Sequence, residues 1–423
     1  MKRILVTGLN YKQTPVYIRE KFYFTNDELP HVLKALSGIK SVSEVMLLST
    51  CNRTEVIFVS DEPGRTPAAI IKELAAHKGL HYEKIKRDFY VFSGREAVHH
   101  VFRLASGLDS MVLGENEIMG QFKDAYNRAL THKTTGKVLL TLYRAAMAAV
   151  KKIKGRTGVS KGTVSVSHCA VGLADRALNG LSGKKVLIIG AGNMANSAAI
   201  SFMKKGVGSI DVINKTYSKA VEMAKKYKGE AYEFGMLRKA VENSDIILCS
   251  SASPEPVIKS EMVKSAIAKK PGRGLFIIDI AVPRDVEEGV KGIKNAHLYD
   301  IDDLKNMTSD TANSRKSELG KAEKILKECV GTFEKELYMR EAATLVNGVR
   351  KRIYDIVVEE CAATALAKGL PDDEKANLQT TTISTVNRII SAHMAGLKKK
   401  IAKGEAEKED LVNTIKKAFK IYE

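Results

Sequence analysis

The segment Lys185-Val186-Leu187-Ile188-Ile189-Gly190-Ala191-Gly192-Asn193-Met194-Ala195 constrains the fold of this chain more than any other. A short apolar strand runs into a glycine turn, and the turn opens an amphipathic helix that continues to Lys205. Gly206 to Gly208 turn the chain again, and Ser209-Ile210-Asp211-Val212-Ile213 follows as a second strand. Strand, glycine turn, helix and strand in this order place the region among open α/β sheets. With Ala at the third glycine position the turn matches the dinucleotide-binding fingerprint. Its glycines let backbone N–H groups approach a pyrophosphate, and the helix N-terminus adds partial positive charge. Gly190, Ala191, Gly192, Asn193, Met194 and Ala195 are therefore the first candidate cofactor residues.

Which dinucleotide is bound is read at the end of the second strand. An NAD site carries Asp or Glu there, about twenty residues after the glycines, to accept from the ribose 2′-OH. Here the position holds Asn214-Lys215-Thr216, a cation between two hydrogen-bonding side chains, which suits a 2′-phosphate and favours NADPH. Asp211 lies mid-strand, out of reach of a ribose, and is expected to be solvated or structural. Two later strands, Ile246 to Cys249 and Leu275 to Ile280, run into Ser250-Ser251-Ala252-Ser253-Pro254 and Ala281-Val282-Pro283-Arg284. Ligands of open α/β sheets bind beyond such strand ends, so these loops either flank the nicotinamide or merely stop their strands.

The chain has 423 residues, long for one domain. Residues 1–155 read as strand, helix, strand, strand, helix, strand, the β-α-β-β-α-β order of a ferredoxin-like α+β domain. A Lys/Arg-rich helical connector (Arg144, Lys151, Lys152, Lys154, Arg156) follows, with Gly155, Gly158 and Gly162 marking the boundary. Residues 156–300 form the Rossmann-type domain, and 301–423 lose all strand signals. Helices are expected over 322–337, 346–367 and 376–403, with Pro371-Asp372-Asp373 as a helix start. The apolar stripes of this all-helical region have too few neighbours to cover them, which points to a homodimer. The fold class is thus multidomain α/β with a helical C-terminal dimerisation domain.

The five cysteines (Cys51, Cys169, Cys249, Cys329, Cys361) are odd in number and form no C-x-x-C pair, which argues for a reducing compartment and against a metal site. The first strand begins at Arg3, and no apolar run approaches a membrane span, so a cytoplasmic protein without membrane contact is expected. A net charge of +19 fits either a phosphate-backbone partner or a Lys-rich soluble surface.

Ser49-Thr50-Cys51-Asn52-Arg53-Thr54-Glu55 sets a thiol in the turn between two apolar strands, with a cation two residues on. A guanidinium near a thiol lowers its pKa, so Cys51 is a candidate nucleophile; an inert buried cysteine is the alternative. Downstream, residues 97, 98, 101, 102, 104, 105 and 108 form an apolar helical stripe. At about 100° per residue His99 falls opposite it and His100 on its flank, so His100 either lines a pocket or is a core-edge histidine.

The heptapeptide at Cys51, the block Ala105-Ser106-Gly107-Leu108-Asp109-Ser110 through Gly114-Glu115 and Gln121, the Gly190-Ala191-Gly192 turn, and Asp279-Ile280-Ala281-Val282-Pro283-Arg284-Asp285 together resemble the glutamyl-tRNA reductase family. The resemblance runs from Thr7-Gly8-Leu9-Asn10 into the helical tail. It implies NADPH-dependent reduction of glutamyl-tRNA(Glu) to glutamate-1-semialdehyde, with release of tRNA, as the first step of five-carbon tetrapyrrole synthesis. Cys51 would attack the ester and form a thioester, which a hydride can reduce where a carboxylate resists. By the same resemblance Thr50, Asn52, Arg53, Ser110, Glu115, Asn116, Glu117 and Gln121 line the glutamate pocket, with Arg53 gripping the substrate carboxylate. His100 would pass a proton to the leaving ribose oxygen. A glutamate-1-semialdehyde aminomutase is an implied candidate partner. Three places depart from the family pattern: Glu117 stands where Gln is usual, Lys215 replaces an Arg, and Tyr11 and Gln13 alter the Asn-His-Lys-Thr opening. Two other classes remain open, a shikimate-type NADP dehydrogenase that needs no thiol and a non-catalytic tRNA-binding protein.

Overall fold

The computed structural model describes residues 3–160, 165–251, 253–270, 272, 274–304 and 316–403. Gly162 at the domain boundary and Ala252 in the first cleft loop lie outside the described residues. Among the described residues no helix is long and apolar enough to cross a membrane.

Strands β1 (Arg3–Asn10), β2 (Val42–Ser49), β3 (Arg53–Ser60) and β4 (Tyr90–Ser93) pair in the order β2-β3-β1-β4, every pair antiparallel. Helices Leu29–Ser37 and Thr66–His77 supply the two crossovers, giving the β-α-β-β-α-β unit expected from the sequence. One face of the sheet packs Leu5, Leu9, Val45, Leu47, Val56 and Phe58 against Leu33, Ile70 and Leu74 of these helices. The strand period of two turns the alternate residues of β3, including Arg53 and Glu55, to the other face. Helices Arg95–Ala105, Glu117–Thr131 and Lys137–Arg156 lie against that second face, so all eight residues of β3 are buried. Gly8 pairs with Glu55 across the sheet, and a Cβ there would come within 2.8 Å of the Glu55 side chain. The space for a buried carboxylate is thus made by a missing side chain.

The second sheet is wholly parallel: β5 (Lys185–Ile189), β6 (Ser209–Ile213), β7 (Ala231–Tyr232), β8 (Ile246–Cys249), β9 (Leu275–Asp279) and β10 (Ala296–Asp300), ordered β10-β9-β8-β5-β6-β7. Both faces are apolar, Val186 and Ile188 packing on one side and Leu187 and Ile189 on the other, as parallel sheets covered by helices require. The strand order reverses between β5 and β8, which opens the crevice where such sheets bind ligands.

The Lys/Arg-rich connector is a 20-residue helix, Lys137–Arg156, whose Leu139, Leu142, Ala146, Ala149, Val150 and Ile153 are buried, so it belongs to the core of its domain. From Glu328 onward the chain forms its own compact unit. The break expected between 337 and 346 is absent: helix Lys316–Ala367 is continuous over 52 residues. The intervening Tyr338-Met339-Arg340-Glu341-Ala342-Ala343-Thr344-Leu345 contains neither Gly nor Pro, so nothing local stops it. Gly369, at φ +59°, ends this helix region, and Pro371 precedes helix Asp372–Lys403.

Candidate active site

Thr50, Cys51 and Asn52 form the turn between β2 and β3. The Thr50 hydroxyl accepts from the backbone N–H of Asn52 and of Arg53, both at 3.2 Å, which pins the turn and fixes where Cys51 projects. Cys51 is half-buried against an apolar cluster that includes Val16, Met111 and Val112. Burial pushes its thiol up to about 12; Glu117 and Glu115 push it the same way, and the Arg19 guanidinium opposes them.

That cation is not the one expected. The Arg53 side chain is 1% exposed and sits in an ion network: Nη1 donates to Glu55 at 2.6 Å and to Asp109 at 3.1 Å, and Nη2 to the Asp109 carbonyl at 2.6 Å. Lys12 pairs with the other oxygen of Asp109. Arg53 is thereby committed to holding β3 against the loop that carries Ser110 and Glu115, and its expected grip on a substrate carboxylate is not supported.

Glu55, left without a role in the sequence reading, ties this network to His100. Its Oε2 lies 2.7 Å from His100 Nε2, while Oε1 takes Arg53. Burial alone would raise the Glu55 carboxyl, but His100 and Arg53 outweigh it and hold it at about 2. An anionic acceptor requires Nε2 to carry the proton. The imidazole is clamped further by Phe92 and Tyr90, whose ring centroids lie 4.8 and 5.7 Å away. Among the described residues no hydrogen bond joins His100 to Cys51. His99 lies instead beside Glu323, 3.8 Å from its carboxylate.

Glu115 and Glu117 face Cys51 from the start of helix Glu117–Thr131. Burial, and then the neighbouring Glu117, push the Glu115 carboxyl up to about 7, and burial raises Glu117 as well. Gln121 stands one turn beyond Glu117 on the same helix face. Asn116 accepts from Lys154 Nζ at 2.5 Å, so Lys154 serves this site rather than an exposed basic patch. Asn52 Oδ1 is buried with no partner at hydrogen-bond geometry, the condition of a group that awaits a polar ligand.

Glu115, Asn116 and Glu117 line a cavity of about 280 Å³ whose other wall is Ser165 and Ser167, with Asn193, Met194 and Ser197 from helix Asn193–Lys204 of the parallel-sheet domain. Beyond that helix N-terminus a cleft of about 660 Å³ is lined by Gly190, Ala191, Gly192, Asn214, Lys215, Phe234, Ser250, Ser251 and Ser253. Gly190, at φ +105°, passes so close to Ser250 that a Cβ would meet its carbonyl oxygen at 2.8 Å, while a Cβ on Gly192 would meet nothing within 4 Å. The backbone therefore stays bare toward the cleft, which fits a dinucleotide. Lys215 is exposed at the rim, and Asn214 Nδ2 closes the turn on the Thr216 carbonyl at 2.9 Å. Ala195 is fully buried in the core: it permits close packing of helix on strand and does not face the cleft. Asp211 accepts from the Glu230 N–H at 2.9 Å, a structural role.

In the Asp279-to-Asp285 segment the polar side chains have structural partners. Asp285, pushed up to about 6 by burial, accepts from Ser251 N at 2.8 Å and Ser251 Oγ at 2.5 Å, fixing the cleft loop from behind. Arg284 turns away from the cleft to Glu20. Only the paired contacts reveal these roles.

Residues 7–157 match the family described as glutamyl-tRNAGlu reductase, N-terminal domain, and residues 321–421 match glutamyl-tRNAGlu reductase, dimerisation domain. The chain is 36% identical over 396 residues to the glutamyl-tRNA reductase of Syntrophotalea carbinolica, covering 93% of this chain and 89% of that one. It is 35% identical over 420 residues to that of Geobacter metallireducens, with 99% and 96% covered. The chain belongs to the glutamyl-tRNA reductase family. Among solved structures the glutamyl-tRNA reductase from Methanopyrus kandleri is 32% identical with a TM-score of 0.54, covering 99% of both chains. Residues 172–307 match shikimate / quinate 5-dehydrogenase, but this span is the nucleotide-binding part alone. The flanking matches to the reductase family therefore disfavour a dehydrogenase that makes no use of the N-terminal domain.

Proposed function

We propose that this protein reduces the glutamyl ester of tRNA(Glu) to glutamate-1-semialdehyde with NADPH, through a thioester on Cys51. One observation carries the proposal. Cys51 packs against the same apolar cluster as Ala191 and Met194 of the glycine turn, and Glu115 and Glu117, which raise its thiol, line the cavity whose far wall is the N-terminus of the nucleotide-binding helix.

Cys51 is held as a neutral thiol in the free protein by burial and two nearby carboxyls. The glutamyl group brings an ammonium, and a cation seated between Glu115 and Glu117 cancels the field that keeps the sulfur protonated. Burial still opposes the thiolate, but the thiol gives up its proton more readily once the correct aminoacyl group is in place. The sulfur attacks the ester carbonyl, a C–S bond forms, and the bond to the ribose oxygen breaks. With Nε2 committed to Glu55, His100 Nδ1 is the ring nitrogen left to take the proton the Cys51 thiol gives up and to pass it to that oxygen. Asn52 Oδ1 is an unpartnered buried group available to the substrate's polar atoms.

Gly190, Ala191 and Gly192 with the N-terminus at Asn193 and Met194 would hold the pyrophosphate of NADPH, and Asn214, Lys215 and Thr216 its 2′-phosphate. NADPH supplies the hydride that turns the thioester into an aldehyde. In the helical unit Leu366 is 82% and Ile389 56% exposed, apolar surface that a second copy of the chain would cover. The aldehyde product would pass to a glutamate-1-semialdehyde aminomutase.

The test is NADPH oxidation with glutamyl-tRNA against free glutamate. Only the ester should support turnover, and Cys51→Ser should abolish it while leaving the fold intact. Substantial turnover by Cys51→Ser removes the thioester.

A further inference from the structure

Two consecutive residues of the N-terminal domain, Arg19 and Glu20, grip the nucleotide-binding domain at two separate points. The Arg19 side chain is 1% exposed: Nη1 donates to the Thr14 carbonyl at 2.9 Å and Nη2 to Asp302 at 3.0 Å. Asp302 follows β10, and its second oxygen accepts from the Val16 N–H at 3.1 Å, capping the helix turn Val16–Arg19 that carries Arg19. Glu20 takes Arg284 in a fork, Nη2 at 2.8 Å on one oxygen and Nε at 3.0 Å on the other, with the Arg284 N–H adding a bond at 3.3 Å. A forked guanidinium–carboxylate pair fixes angle as well as distance.

Both grips lead to working groups. Arg19 is the cation acting on Cys51, and its Nε is buried without a partner. Arg284 adjoins Asp285, which holds the Ser251 loop of the cofactor cleft. The acyl group on Cys51 has two fates. Water can add its oxygen to the acyl carbon, the C–S bond breaks, sulfur takes a proton, and glutamate is lost. Alternatively hydride from the reduced nicotinamide dinucleotide adds to the same carbon, the C–S bond breaks, sulfur again takes a proton, the nicotinamide is oxidised, and the aldehyde leaves. The first needs only an open site, and the second needs the cofactor domain seated to within fractions of an ångström.

We propose that the Arg19-Glu20 clamp, closed on Asp302 and Arg284, is the positioning element that commits the acyl group on Cys51 to reduction instead of hydrolysis. It rests on the thioester reading above.

The experiment uses the full chain with glutamyl-tRNA and saturating NADPH, and measures aldehyde formed against glutamate released. Glu20→Gln and Arg284→Gln should each lower that ratio about tenfold, the effect of losing one coupled ion pair. Hydrolysis without NADPH should stay at the wild-type rate, because neither residue touches the thiol. The double exchange Glu20→Arg with Arg284→Glu should recover most of the ratio, which a merely structural role does not predict. An unchanged ratio in the single variants overturns the clamp, as does a parallel loss of both reactions that the exchange fails to rescue. Absence of a glutamyl group on Cys51 in wild-type protein trapped without NADPH overturns the thioester reading, and the clamp with it.

Discussion

Replacing Glu117 by Gln tests whether local carboxylates keep the nucleophile silent. Burial, then Glu117, then Glu115 raise Cys51 from the ordinary thiol value to about 12, so at pH 8 only about one molecule in ten thousand carries a thiolate. Glu117→Gln preserves shape and removes the largest single charge from that set while leaving burial and Glu115 in place. A loss of one nearby like charge should bring the thiol down by about one unit, or about tenfold in thiolate. Nucleophilicity falls as basicity falls, with a slope near one half, so the net gain in reaction rate is about threefold. The assay is the second-order rate of iodoacetamide alkylation at Cys51, followed by mass on the peptide so that Cys169 is not counted. The same variant should raise KM for glutamyl-tRNA, since a neutral amide attracts the ammonium less well than a carboxylate. Faster alkylation together with weaker substrate binding is the signature expected. Slower or unchanged alkylation refutes the carboxylate field as the cause.

Glu55→Gln should destabilise the protein by about 3 kcal/mol, because removing one member of a buried charge network leaves His100 and Arg53 undercompensated; urea unfolding at neutral pH measures this. The Glu55 carboxyl is depressed to about 2 in the folded state, so its contribution is complete above its unfolded value and fades as pH falls toward about 2. The variant should accordingly lose less stability than wild type between about pH 4.5 and 2.5. Lys215→Asp should weaken NADPH binding strongly and NADH binding little, measured by fluorescence titration; equal losses would show that Lys215 does not read the 2′-phosphate. For the +19 charge, apparent affinity for glutamyl-tRNA should fall linearly with salt on a log–log plot. Gln at Arg144, Lys151, Lys152 and Arg156 together should flatten that slope without slowing turnover at saturation, and an unchanged slope would clear this helix of tRNA contact.

The parallel sheet, its glycine turn and the place of Cys51 between two strands are legible in the sequence, because each depends on residues adjacent in the chain. Val186 to Ile189 followed by Gly190 can be read as strand and turn with no knowledge of what lies across the sheet. Period two likewise puts Arg53 and Glu55 on one face of β3. The long helix was read less well, since a stretch weak in apolar periodicity stays helical when neither Gly nor Pro interrupts it.

The charges around the thiol are another matter. Proximity in sequence made Arg53 the expected partner of Cys51, yet in the fold Arg53 is taken by Glu55 and Asp109, and the cation that acts on the sulfur is Arg19. His100 was expected to serve the substrate, and its anchor proves to be Glu55, 45 positions away. Glu20 and Arg284 meet across 264 positions. The sequence by itself determined the elements and the chemical kinds of group at the site, since propensity and periodicity act over a few neighbouring residues. Only the tertiary structure decided which charges pair and which face the thiol, since electrostatic energy depends on distance and burial, and both are set by packing between segments far apart in the chain.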